Sequence, residues 1–164
     1  MSELFERIKD EMKDYDVILV GIGEEFDNYR EDSDISVRNA YESLLSILEG
    51  KNYYILSTAG EEILDINEKA NEKIVVTSTL SEDDKRWDMY LKWLSCTLNR
   101  KLYVLELGVL LDNPNVIRWP FERTVMINNN AKLVRINSKL PQLPEQLANK
   151  GESFKENPVS IWVR

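Results

Sequence analysis

The stretch VILVGIGEEF, residues 17–26, sets Gly21, Ile22 and Gly23 directly after an apolar run and follows them with Glu24 and Glu25. A glycine turn closing a buried strand lets backbone approach a phosphate, because no Cβ stands in the way. The two carboxylates oppose that use, since anions at short range repel unless a cation intervenes. A more local role is a surface acid serving the N-terminus of the next segment. The pattern favours this capping anion over a catalytic carboxylate, and it places a carboxylate in the role of a pyrophosphate. A second glycine turn, Gly108, follows LYVLEL.

The 164 residues include no histidine and one cysteine. Without histidine the chain lacks the usual general base near neutral pH and the commonest metal ligand. A single cysteine excludes an intrachain disulfide and a cysteine zinc cluster. Cys96, in YLKWLSCTLN, reads as a small buried helical residue rather than a nucleophile, because no base stands near it in sequence.

A formal net charge of -8 offers no basic stripe, so nucleic acid is excluded as an expected partner. That limit applies to long polyanions and not to one small nucleotide. No apolar run approaches the roughly 20 residues that span a bilayer. The N-terminal MSELFERIKDEMKDY is charged on one face rather than signal-like. The expectation is one domain, 1–164, cytoplasmic and of bacterial type, with no membrane partner.

The elements that must position these residues alternate in type. Residues 17–20, 53–56, 74–76, 102–107 and 133–136 are short, β-branched or aromatic runs, as strands buried on both faces should be. Between them, Leu4, Ile8 and Met12 form one helical stripe. Val37, Ala40, Tyr41, Leu44 and Leu48 form another, with Ser36 as its cap. The longest helix is expected after Ser81, with Glu82, Asp83 and Asp84 in its first turn and Trp87, Tyr90, Leu91, Leu94 and Leu98 facing the core. Pro120 suits the first turn of a fourth helix, which the asparagines of INNN end. From Leu140 onward the spacing predicts a wrap of short pieces.

Such alternation implies a doubly wound α/β fold: three layers, a parallel sheet ordered 3-2-1-4-5, and helices on both faces. In that order the first and fourth strands are neighbours where the winding reverses, and their carboxyl ends open the crevice that binds ligands. Those ends are Gly21-Ile22-Gly23 and Gly108. The third glycine of the dinucleotide fingerprint is missing, so the pair reads equally as a small-molecule site and as a tight turn.

Residues 90–147, YLKWLSCTLNRKLYVLELGVLLDNPNVIRWPFERTVMINNNAKLVRINSKLPQLPEQL, resemble the C-terminal half of bacterial sirtuin-like proteins, the NAD-dependent deacylase and ADP-ribosyltransferase superfamily. Upstream, VILVGIGEEF stands where sirtuins carry a strand and Gly-Ala-Gly. YYILSTAGEEI stands where they carry a strand and Thr-Asn-x-Asp or Gln-Asn-x-Asp. The resemblance implies a Rossmann-like fold over nearly the whole chain and a cofactor crevice touching Gly21, Ile22, Gly23, Ser57, Thr58, Gly108 and Asn137. It implies NAD or ADP-ribose as ligand, with Asn137 facing the adenosine end.

Several departures weaken the implied chemistry. Ala59 stands where the family has an Asn of its carboxamide-reading pair, and Gly60-Glu61 follows. Thr77, Ser78 and Thr79 stand near the position of the family's base, a His or in one branch a Gln, and none ionises usefully near pH 7. The interval 76–91 is too short for the inserted zinc module, so no zinc and no second domain are expected.

Two functions follow. One is a catalytically degenerate binding or interaction module that retains affinity for a small nucleotide. The other is an enzyme that cleaves or transfers an N-glycosidic ribose bond, a deacylase, ADP-ribosyltransferase or NAD glycohydrolase, with Glu25 or Glu61 replacing the missing His to stabilise an oxocarbenium-like centre. A homodimer or other protein partner is a further expectation, because Trp87, Trp93, Trp119, Trp162, Tyr29, Tyr41, Tyr53 and Tyr54 are more aromatics than the sheet needs.

Overall fold

The computed structural model describes residues 2–30 and 36–162. Six parallel strands form one sheet in the order β3-β2-β1-β4-β5-β6. They are β1 (Val17–Ile22), β2 (Asn52–Ser57), β3 (Ile74–Val76), β4 (Leu102–Leu107), β5 (Lys132–Ile136) and β6 (Gly151–Phe154). The four α-helices among the described residues are α1 (Glu3–Met12), α2 (Val37–Leu48), α3 (Arg86–Ser95) and α4 (Arg118–Ile127). This is a Rossmann-like α/β architecture with the expected strand order and one strand added.

The central strand explains the layering. Along β1, Ile18, Val20 and Ile22 join the core beneath α1 and α2, whereas Val17 and Leu19 join the core beneath α3 and α4. Alternate residues of a strand face opposite sides, so a strand covered on both faces must be apolar throughout. All six residues of β1 are buried, as are all six of β4.

Helix starts follow local chemistry. Ser2 and Ser36 cap α1 and α2, their hydroxyls accepting from the amides of Phe5 and Asn39 at 3.1 and 3.0 Å. Pro120 sits in the first turn of α4, where a missing amide hydrogen costs nothing, and Asn128 closes that helix.

The third helix is shorter than expected. It starts at Arg86, not after Ser81, because the Asp84 carboxylate accepts the Arg86 amide at 3.0 Å and sets the first turn there. It stops at Ser95, so Leu98 falls beyond it and is exposed, as is Leu91; Tyr90 is the buried residue of its stripe. Cys96 is exposed, not a core residue, because it caps this early end and turns outward.

The tail also differs from its expected wrap. β6 pairs in parallel with β5, Leu133 to Gly151 through Ile136 to Phe154. Its sequence, GESF, carries neither an apolar run nor β-branched residues, so strand formation comes from β5's free edge. Side chains then fix it: Lys132 donates to Glu152 at 2.8 Å and to Glu11 at 2.9 Å, and Arg7 also donates to Glu152.

Candidate functional site

β1 pairs with β4 from Val17–Leu102 to Ile22–Leu107, so the two glycine turns leave the sheet side by side. The Gly23 amide donates to Leu107 O at 2.9 Å, and the Glu25 amide to Gly108 O at 3.1 Å. A Cβ added to Gly23 would lie 2.3 Å from Val109 Cα and 2.5 Å from Gly108 O. Only glycine permits that approach. Gly108 has φ of +65°, a conformation that strains other residues, and a Cβ there would meet Glu25 Cβ at 2.7 Å.

Gly21 has another duty. It lies inside β1, and a Cβ on it would stand 2.6 Å from both Ile117 Cγ2 and Phe121 Cε2. Its missing side chain lets the start of α4 settle on the sheet. Ile22, fully buried, packs into the opposite core.

Residues 24–26 form a single 3-10 turn right after Gly23. The two carboxylates cap no amide of this turn, contrary to the capping expectation; they reach across to other loops. Glu24 Oε2 accepts the Leu110 amide at 2.9 Å, while Oε1 takes the Thr58 hydroxyl at 3.3 Å. Glu24 thereby spans from the end of β2 to the loop after β4. Glu25, expected at the surface, is 6% exposed. Its Oε1 accepts the Ser138 amide at 2.9 Å, and the Ser138 hydroxyl donates to Oε2. A buried carboxylate needs such donors, because removing it from water is otherwise costly. Phe26 turns away and stacks on Tyr41, with ring centroids 5.2 Å apart.

The other implied residues line the same end of the sheet but are internally engaged. Ser57 is fully buried, and its Oγ accepts the Ala59 amide at 3.1 Å. The Thr58 amide donates to Ile22 O at 2.9 Å. Asn137, also fully buried, donates through Nδ2 to Val109 O at 2.9 Å and accepts the Lys139 and Leu140 amides at 3.0 and 2.8 Å. It shapes the loop after β5. Glu61 is exposed and opens a separate 3-10 turn, Glu61–Asp65. Thr77 and Thr79 spend their hydroxyls on Ser57 O and Val76 O.

Beneath the crevice lies an ion-pair network that the sequence reading did not single out. Glu106 and Arg135 are register partners on β4 and β5, and both are fully buried. Arg135 donates to Glu106 at 2.5 and 3.0 Å, to Glu122 at 2.7 Å and to Gln142 O at 2.6 Å. Arg118, at the start of α4, donates to Val109 O, Leu140 O and Gln142 O at 3.3, 3.0 and 3.3 Å. Burial and the neighbouring Arg135 charge lower its pKa. The two guanidinium groups therefore hold the loops after β4 and β5 from below. The available signal was a charged residue inside each of two strands otherwise read as buried.

No protein-family model and no curated protein sequence matches this chain. Fold and rim geometry define its class as a Rossmann-like α/β domain with a glycine-lined switch point. No helix among the described residues is long and apolar enough to cross a membrane.

Proposed function

We propose that this chain is a sirtuin-like, nucleotide-binding-type domain that has become catalytically degenerate and acts as a binding or interaction module. One observation carries the reading: the rim amides that would face a diphosphate, Leu110 and Ser138, already donate to the chain's own Glu24 and Glu25 carboxylates. A phosphate needs those donors, and an anion entering beside two carboxylates is repelled. NAD or ADP-ribose must first displace Glu24, so retained affinity is weak.

The competing reading, an NAD-consuming enzyme using Glu25 or Glu61, receives less support. Glu25 is committed to Ser138, and Glu61 is exposed on another turn. Incubating the protein with NAD and measuring free nicotinamide separates the two. The degenerate reading expects release at the rate of NAD alone; release that Glu25→Gln or Glu61→Gln abolishes overturns it. A thermal-shift titration adds the binding term, with small stabilisation by NAD or ADP-ribose expected even at high concentration.

A further inference from the structure

At the opposite margin of the sheet, a cleft of about 480 Å³ opens beside the edge strand β3. Its volume falls within the roughly 300–1,000 Å³ of small-molecule sites. Three features give it chemical character.

One wall is apolar and firm. Tyr54, Ile74 and Val75 are buried, and the Tyr54 ring is braced by Trp93 and Tyr90 at 5.0 and 5.7 Å between centroids. Met89, on α3, lines the cleft while 59% exposed. Methionine at such a place adapts to varied apolar shapes.

Another wall carries a fixed cation. Arg86 Nε donates to both carboxylate oxygens of Asp84 at 3.0 and 3.1 Å, and its Nη2 donates to Asp84 at 2.6 Å and to Thr79 O at 2.8 Å. Nη1 makes no hydrogen bond among the described residues. A guanidinium held along one edge keeps its other donors aimed, which suits a carboxylate.

The remaining lining is made of acceptors. Asn71 Oδ1 is buried with no hydrogen-bond partner among the described residues, a state folded proteins seldom keep without use. The neighbouring Glu72 is exposed and supplies a carboxylate. Asn71 as a whole is only partly buried and lines the cleft beside Glu72.

We propose that this cleft binds an α-amino acid with an apolar or aromatic side chain. The carboxylate meets Arg86 Nη1, the side chain lies against Tyr54 and Val75, and the amine donates to Asn71 and Glu72. The shared chemistry is that of a free amino acid or of the last residue of a peptide. It does not involve the β1–β4 crevice, so either reading can fail without the other.

Trp93 lies against Tyr54 and supplies the signal. The full-length protein is titrated with L-phenylalanine, N-acetyl-L-phenylalanine and phenethylamine while tryptophan fluorescence is followed. A saturable change with phenylalanine is expected in the millimolar range or below, and phenethylamine, which lacks the carboxylate, should bind about tenfold more weakly or worse. The acetylated compound separates the sources: weaker binding assigns a free amino acid, and equal binding assigns a peptide terminus. Arg86→Gln should weaken phenylalanine binding by about tenfold or more. If that variant misfolds, Met89→Glu decides, since an exposed helix position tolerates a charge and a carboxylate there repels the ligand's own. No saturable change with phenylalanine, an equal response to phenethylamine, or unaltered binding in Met89→Glu overturns the proposal.

Discussion

Glu24 and Leu110 stand 86 residues apart and are joined by a 2.9 Å hydrogen bond from the Leu110 amide to the Glu24 carboxylate. That bond closes the rim between the first and fourth strands with an anion belonging to the chain itself. In Glu24→Ala the Leu110 amide and the Thr58 hydroxyl lose this acceptor. Stability should fall by about 1–3 kcal/mol, the range for losing hydrogen bonds to a charged acceptor where water replaces part of it. Stabilisation by ADP-ribose in a thermal-shift titration should rise above that of the parent. Glu24→Gln keeps the size and an acceptor oxygen without the charge, and should give an intermediate gain. Equal shifts in all three proteins would mean that the carboxylate does not guard the crevice.

The two glycines of the first turn should respond differently to a methyl group. In Gly21→Ala the new Cβ meets the Ile117 and Phe121 side chains at 2.6 Å, and both are fully buried. Overpacking of this kind costs about 1–3 kcal/mol. In Gly23→Ala the Cβ meets Val109 Cα, Gly108 O and Val109 N at 2.3, 2.5 and 2.7 Å. Backbone cannot yield by changing rotamer, so this variant should lose more. Urea unfolding ranks the two, and the reverse order would show that the two loops separate easily.

Much of this architecture is legible in the residues. β3 and β4 have the bounds expected from apolar runs, and the order through β5 follows from right-handed crossovers. β6 was hidden because its pairing comes from β5 and its charged anchors, Lys132 and Arg7, lie far off in sequence. The junction of Gly23 with Gly108 was expected from the switch point. The partners of Glu24 and Glu25 were not, since Leu110 and Ser138 contribute backbone amides, which every residue type but proline carries. Cys96 misled because its helical spacing continues past the point where α3 ends.

Removing one partner of the buried network tests whether it supports the loops. Arg135→Met leaves Glu106 fully buried without its two guanidinium bonds. Breaking a buried pair from one side costs about 3–5 kcal/mol. The double variant Glu106→Leu with Arg135→Met removes both charges and should recover part of that loss, a non-additivity that a double-mutant cycle measures. Strict additivity would mean that the two residues act separately. The single variant should also loosen the loop after β5, read as faster amide exchange at Ser138, Lys139, Leu140 and Gln142.

The edge strand β6 should carry a pH signature. Bonds from Lys132 and then Arg7 hold the Glu152 carboxyl below its ordinary value of 4.5. A depressed folded-state pKa stabilises the protein above the unfolded value and ceases to do so as pH falls through the folded one. Lys132 shows the mirror case: burial works against its charge, but bonds to Glu152 and Glu11 outweigh burial and raise its pKa above 10.5. Its contribution is complete below 10.5 and disappears as pH rises through the folded value. Glu152→Gln should therefore differ most from the parent between these limits, and the two stability curves should converge in strong acid. Urea midpoints measured across the pH range check this. A constant gap persisting into strong acid would show that Glu152 holds β6 by packing rather than by charge.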